Sequence, residues 1–514
     1  MFNSFKGSNL AKAYHKQKAK QRFQLNGYVK ATIAAVLAFV IALLPTELFG
    51  IPGLNPVQQR VIAIFVFAAV MWLTESMPSW CTSVIIIVVM LFTICDKGLA
   101  PLVEFVSKTG DDGTVSQVLA YKYVSYKSIM ACFANPTIML FIGGFILAIA
   151  LTKTGIDVVL AKKLLTPFGT KPKNVLLGFI VVTAIFSAFV SNTATAAMML
   201  AFLAPVLRAM PEGSKDRTAL ALAIPLGANI GGIATPIGTP PNTIVLGYLS
   251  DSLGINIGFG EWMIKIVPFV VFMLLAGWFL LRAMFPFQQK EIVLKIEGEL
   301  KWTYKTWVVI ITFLATIILW CFADVLGLGL NSFITAMLPI AAFAATGVID
   351  KDDLSEINWS VLWMVAGGFA LGVALSETGL DKVMINAIPF AEFSPLLVMI
   401  LASLVCFGFS NFISHSAAAS LLVPVLGVVA GAMIHPAQPG VEPTLTEGGA
   451  VQMLLCVAIA ASVSMILPIS TPPNAIAHST GFIKQSEMMK VGIFIGLLGL
   501  VSGMLWLKLP FIFG

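Results

Sequence analysis

Two short polar islands interrupt apolar runs of this chain. SNT at 191–193 is followed by ATAAMML and SHS at 414–416 by AAASLLV, so Ser191, Asn192 and Thr193 match Ser414, His415 and Ser416 position for position. Each set offers hydroxyl, amide or imidazole groups where a returning helix would begin, beside unsatisfied N–H groups and the positive end of the helix dipole. Such a start attracts anions. A second duplicated motif, T-P-P-N, lies at 239–242 in GGIATPIGTPPNTI and at 471–474 in LPISTPPNAIAH. Consecutive prolines lack N–H groups and clash with the preceding turn, so the helix must open there. The freed carbonyls can ligate a cation. Thr239 or Thr471 is placed to cap a new half-helix, with Pro240 or Pro472 at a first-turn position. Four half-helix starts facing one cavity would suit an anion with two carboxylates.

The elements that must position these groups follow from composition. Of 514 residues, 58% are hydrophobic and 11% charged, against about 45–50% and about 25% in soluble domains. The expected fold class is an all-α polytopic membrane protein, with about eleven transmembrane helices and two re-entrant hairpins. After a first span at 30–49 comes a unit over 50–286, containing a hairpin at 174–207 and a broken helix at 218–250. A cytoplasmic linker at 287–304 leads to a second unit over 305–514, with its hairpin at 393–433 and its broken helix at 449–478. GGFILAIALTKTGID at 143–157 and GGFALGVALSETGLD at 367–381 repeat one another, and the islands and T-P-P-N motifs follow in the same order. With five spans and a hairpin in each unit, the second inserts upside down relative to the first. Inverted repeats are a transporter signature, with the site between the repeats near the bilayer midplane.

Charge and motifs exclude other classes. The net charge of +6 comes mostly from the basic tail at 1–29 and short loops. That pattern orients a chain in the plasma membrane with its amino terminus cytoplasmic, partnered by lipid and not by nucleic acid. The six cysteines are scattered and read as small hydrophobes. No H-E-x-x-H, carboxylate pair or nucleophile motif falls in a span, so an enzyme is not expected and no cofactor is implied. An anion channel would need charged rings or amphipathic spans, and none is evident. Glu75, Lys153, Asp157, Glu377 and Asp381 sit at span ends, where snorkelling or ion pairs explain them. The paired glycines of the GGF repeats read as packing residues, as do Trp363 and Phe412.

SNTATAAMML, GGIATPIGTPPNTI, WLTESMP at 72–78 and the second TPPN together resemble the divalent anion/sodium symporter family. The resemblance covers essentially everything beyond the tail. It implies a carrier of di- and tricarboxylates such as succinate, malate, 2-oxoglutarate and citrate, working as a homodimer by an elevator motion of a transport domain against a scaffold. Position by position, it implies substrate contacts at Ser191, Asn192, Thr193, Ser414, His415, Ser416, Thr239, Pro240, Thr471 and Pro472. It further implies a sodium ion held by Ser187, Ser191, Asn192 and the Gly238 carbonyl.

His415 departs from the family, which places an asparagine there for a second sodium. A protonated imidazole would put a fixed charge where a symporter recruits a mobile one. An empty carrier keeping that charge would cross the low-dielectric barrier at a cost unless a second dianion neutralised it. The expectation is sodium-independent exchange of substrate for counter-substrate, with sodium-coupled symport as the alternative. Two further readings stay open: a neutral His415 holding the hairpin through a backbone hydrogen bond, and a lesser role for His478 beside it.

Overall fold

The structure is a computed structural model that describes residues 25–109, 115–292, 300–323, 326–387, 393–436 and 442–513. Residues 1–24 of the basic tail and 293–299 of the linker lie outside the described residues. Helix dominates, and among the described residues ten helices are long and apolar enough to cross a bilayer. The chain is a multi-pass membrane protein.

After α1 (Leu25–Leu43) come α2 (Pro56–Thr74), α3 (Ser79–Thr93), α4 (Pro136–Thr154), the short α5 (Ile156–Leu165), α6 (Pro172–Phe189), α7 (Asn192–Ala209), α8 (Lys215–Gly231), α9 (Pro240–Leu253) and α10 (Phe259–Met284). The second series is α11 (Tyr304–Phe322), α12 (Met337–Ala345), α13 (Trp359–Glu377), α14 (Leu380–Ala387), α15 (Pro395–Ser410), α16 (His415–Ile434), α17 (Glu447–Ser462), α18 (Pro472–Ser479) and α19 (Gln485–Leu507). Lined up on the duplicated motifs, α2 to α10 correspond in order to α11 to α19. The correspondence fails outside the membrane: among the described residues only the first series carries an antiparallel ribbon, β1 (Phe105–Thr109) paired with β2 (Val115–Leu119), between α3 and α4.

Burial sorts the helices by their neighbours. In α8, 94% of the apolar window is buried, against 28% in α11, whose Ile311, Leu314 and Ile318 face outward as lipid-exposed side chains do. Small residues let α8 sit at the centre. A Cβ on Gly231 would lie 2.3 Å from Ala184 Cα, so backbones of α6 and α8 meet there with no room for a side chain. Gly143 approaches the Ala336 carbonyl and Gly367 approaches Ser83, so each GGF motif packs on the other series. Trp363 packs on Phe133, ring centroids 4.4 Å apart and planes tilted by 33°. Phe412, in contrast, is exposed at the second hairpin tip.

Each polar island is a helix break. α6 ends at Phe189, Val190 is extended, and Ser191 caps α7 by accepting from Ala194 N. α15 ends at Ser410, and Ser414 caps α16 by accepting from Ala417 N. The hairpin arms are longer than apolar run length suggests. At 18 residues each, α6 and α7 are about 27 Å long, close to the about 30 Å of a hydrocarbon core. Length therefore does not separate these arms from spans; only the short capped break between them does.

Candidate functional site

The T-P-P-N motifs open their helices as proline chemistry requires. α8 ends at Gly231 and, after a single 3-10 turn over Gly232–Ala234, Thr235 is extended and α9 starts at Pro240. α17 ends at Ser462, and α18 starts at Pro472. The asparagine of each motif then ties the opened strand. Asn242 Nδ2 donates to the carbonyls of Gly232, Ile233 and Thr235 at 3.2, 3.3 and 2.8 Å. Asn474 Nδ2 donates to those of Met465 and Leu467 at 2.8 and 3.1 Å. Both asparagines complete motifs visible in the sequence, where their backbone-tying role leaves no local signal.

Each hairpin tip meets the break of its own repeat. In the first, Ser187 Oγ is buried, 2.5 Å from Asn192 Oδ1 and 2.7 Å from the Ala228 carbonyl. A hydroxyl has one proton, so one of these oxygen pairs has none between its members. Gly232 lies against both Asn192 and the Gly238 carbonyl: a Cβ there would be 2.7 Å from Asn192 Oδ1 and 3.1 Å from Gly238 O. Thr235 Oγ1 donates to the Ala188 carbonyl and accepts from Gly238 N, fixing the loop that carries this carbonyl. Ser187, Asn192 and Gly238 thus converge, with Ser191 one residue away as the helix cap. The donor set of hard oxygens fits a small monovalent cation.

In the second repeat the corresponding space is closed by protein. His415 Nε2 lies 2.8 Å from the Ser464 carbonyl; a carbonyl only accepts, so Nε2 carries a proton and donates. Ser464 stands where the first repeat has Gly232, and its Oγ bonds to the Phe407 and Ala460 carbonyls. Asn411 donates to the Phe407 carbonyl and accepts from Ile466 N. His415 is also the first residue of α16, where the positive helix end disfavours an imidazolium.

The repeats interlock at this point. α7 packs on α18 and α9 on α16, so each hairpin's return helix meets the half-helix of the other repeat. The half-helices that Thr239 and Pro240, and Thr471 and Pro472, begin therefore pack on the return helices of the opposite hairpins. Thr193 and Ser416 make no side-chain hydrogen bond among the described residues, and His478 is half-buried at the end of α18. A small cavity beside the first tip is lined by Ser191, Val190, Ile237 and the aromatic Phe141, Phe145 and Phe189. Ser464, Asn229, Asn411, Asn242 and Asn474 are the residues the sequence reading missed. Aligning the two T-P-P-N motifs would have matched Ser464 to Gly232.

Comparison with known proteins gives this polar region a setting. Residues 69–446 match the family described as citrate transporter. The chain is 30% identical over 510 residues to the sodium-dependent dicarboxylate transporter SdcS of Staphylococcus saprophyticus, covering 92% of this chain and 90% of that one. It is 29% identical over 466 residues to the inorganic phosphate transporter PHO87 of Saccharomyces cerevisiae, covering 90% of this chain and 47% of that one. The chain spans about half the length of the fungal relatives it matches. Among solved structures it is similar to Neisseria gonorrhoeae MtrF, described among antimetabolite efflux pumps, at 14% identity and a TM-score of 0.49, covering 87% of this chain and 98% of that one. The chain belongs to the citrate transporter family.

Proposed function

We propose that the protein is a secondary carrier of di- or tricarboxylates, working chiefly by exchange, with at most one sodium ion beside the substrate. The observation that carries this reading is the contrast at matched positions: oxygens converge at Ser187, Asn192 and Gly238, while His415 and Ser464 fill the second position. Sodium, where bound, would be held by Ser187, Ser191, Asn192 and the Gly238 carbonyl, supplying a positive charge next to a carboxylate. The substrate would lie against Asn192, Thr193, Thr239 and Pro240 on one side and Ser414, His415, Ser416, Thr471 and Pro472 on the other. Elevator movement, a homodimer and a plasma-membrane location with the amino terminus inside belong to the same proposal.

Charge bookkeeping favours exchange without requiring a charged His415. A dianion entering with one sodium moves one net negative charge inward. Against an inside-negative potential that costs about 2.3 kcal/mol per 100 mV, while a tenfold sodium gradient returns about 1.4 kcal/mol per ion. One sodium does not cover the cost. Swapping one dianion for another moves no net charge, so the potential does not oppose it.

Labelled succinate uptake into proteoliposomes tests the mode. Vesicles preloaded with dicarboxylate should take up label without a sodium gradient, and empty vesicles should not. Uptake into empty vesicles that scales with an inward sodium gradient would replace exchange with sodium-coupled symport; the staphylococcal relative is named a sodium-dependent dicarboxylate transporter.

A further inference from the structure

Asn229, in the last turn of the buried α8, reaches across the repeat boundary. Its Nδ2 is 3.1 Å from Asn474 Oδ1 and 3.2 Å from Thr471 Oγ1. The direction of every hydrogen in this cluster is fixed by its neighbours. Asn474 Nδ2 is committed to the Met465 and Leu467 carbonyls, so its Oδ1 faces Asn229 and must accept. Asn229 therefore presents its amide NH2, one hydrogen to Asn474 and the other to Thr471. Thr471 Oγ1 also accepts from the backbone N–H of Asn474 at 3.1 Å. With both acceptor positions used, the only remaining capacity of this hydroxyl is its own O–H. Thr471 is 2% exposed, and among the described residues no acceptor receives that proton.

The first repeat lacks this arrangement. Ala461 stands where Asn229 stands in α8, aligned on the T-P-P-N motifs. Asn242 is fully buried, and its Oδ1 has no hydrogen-bond partner. Its backbone N–H goes to the Thr239 carbonyl, not the hydroxyl, and Thr239 makes no side-chain cap bond. The Thr239 hydroxyl can rotate; that of Thr471 is locked.

We propose that Asn229 is a positioning residue that makes Thr471 an obligate hydrogen-bond donor to one carboxylate of the substrate, so the two ends of a dicarboxylate are recognised unequally. A fixed donor prepaid in orientation discriminates against groups that cannot accept, while the rotatable Thr239 adapts to acceptor or donor. The second-repeat end thus demands an acceptor, which a carboxylate presents on both oxygens, while the first-repeat end also tolerates a group that donates, such as an amide NH2 or a hydroxyl. This inference rests on the carboxylate reading given above.

The test is succinate exchange by the full-length protein in proteoliposomes, with KM and maximal rate measured separately for wild type, Asn229→Ala, Thr471→Val and the double variant. Asn229→Ala should raise KM about tenfold, the scale of one hydrogen bond to a charged group, with a smaller change in maximal rate. In the Thr471→Val background, Asn229→Ala should add nothing, because its effect runs through that hydroxyl. If Asn229→Ala is not monodisperse after purification, Asn229→Asp, equal in size, is compared in the same two backgrounds, and its KM effect must shrink when Thr471 is valine. Wild-type protein that exchanges no succinate, malate or citrate would overturn the carboxylate reading and this inference with it. Normal wild-type exchange with a variant KM within twofold, or effects that multiply in the double variant, would overturn the inference alone.

Discussion

The two repeats set matched backbones to different uses. At the first tip the residue facing the hairpin is Gly232, and the room it leaves is taken by the Asn192 amide and the Gly238 carbonyl. At the second it is Ser464, whose hydroxyl lies against the Ala460 and Phe407 carbonyls and whose own carbonyl is taken by His415. In the first, the Ala228 carbonyl also accepts from Gly232 N, which leaves the Ser187 proton for Asn192 Oδ1. The first tip thus presents a side-chain amide and a carbonyl where the second presents an imidazole N–H spent on a carbonyl, so a symmetric frame carries an asymmetric load.

Exchanging residues between the repeats should erase that difference, and the largest effect is expected from Gly232→Ser. It copies the second repeat into the first and places a Cβ 2.7 Å from Asn192 Oδ1, so succinate exchange should fall at least about 100-fold, the loss of two hydrogen bonds to charged groups. Near wild-type exchange rates in proteoliposomes would show that Asn192 is not held where the site needs it. The reverse exchange, His415→Asn with Ser464→Gly, should open the second site and make sodium activation steeper, toward two ions per turnover. An unchanged sodium curve would mean that the second site is closed by something other than these two side chains.

A smaller effect is expected from His415→Ala alone. It leaves the buried Ser464 carbonyl without its donor, a loss of about 1–3 kcal/mol, read as a lower melting temperature in detergent. A melting curve identical to wild type would count against the hydrogen bond. The smallest effect lies at the helix ends, where the repeats differ in sign: Lys153 pairs with Asp350 and Asp353, while Glu377 accepts from Ser125 N. The Lys153 side chain holds the exposed Asp350 carboxyl down at about 2. A depressed carboxylate adds stability that is present above its ordinary value near 3.8 and lost as pH falls toward 2. Lys153→Met should therefore reduce the loss of stability between those pH values, by a margin as small as exposed pairs usually give. A melting profile in acid as steep as wild type would assign that loss to other carboxylates.

Motif order made the frame legible: apolar runs, caps and prolines are local, and α6–α7, α8–α9, α15–α16 and α17–α18 break where Ser191, Thr239, Ser414 and Thr471 predict. The short amphipathic α5 and α14 and the β1–β2 ribbon went unseen because the apolar-run criterion registers only spans. The fixed charge expected of His415 followed from its residue type, but its hydrogen bond goes to the Ser464 carbonyl, 49 residues away just past α17. The pairing of Asn229 with Thr471 crosses 242 residues, beyond the reach of any local pattern.

The most direct test of the asymmetry is the sodium dependence of succinate exchange in wild-type proteoliposomes, with equal sodium on both faces and potassium as replacement. A closed second site predicts an activation curve with a Hill coefficient no greater than one, and residual exchange at zero sodium. A coefficient near two would contradict it, because two cooperating sodium ions need the space that His415 and Ser464 occupy.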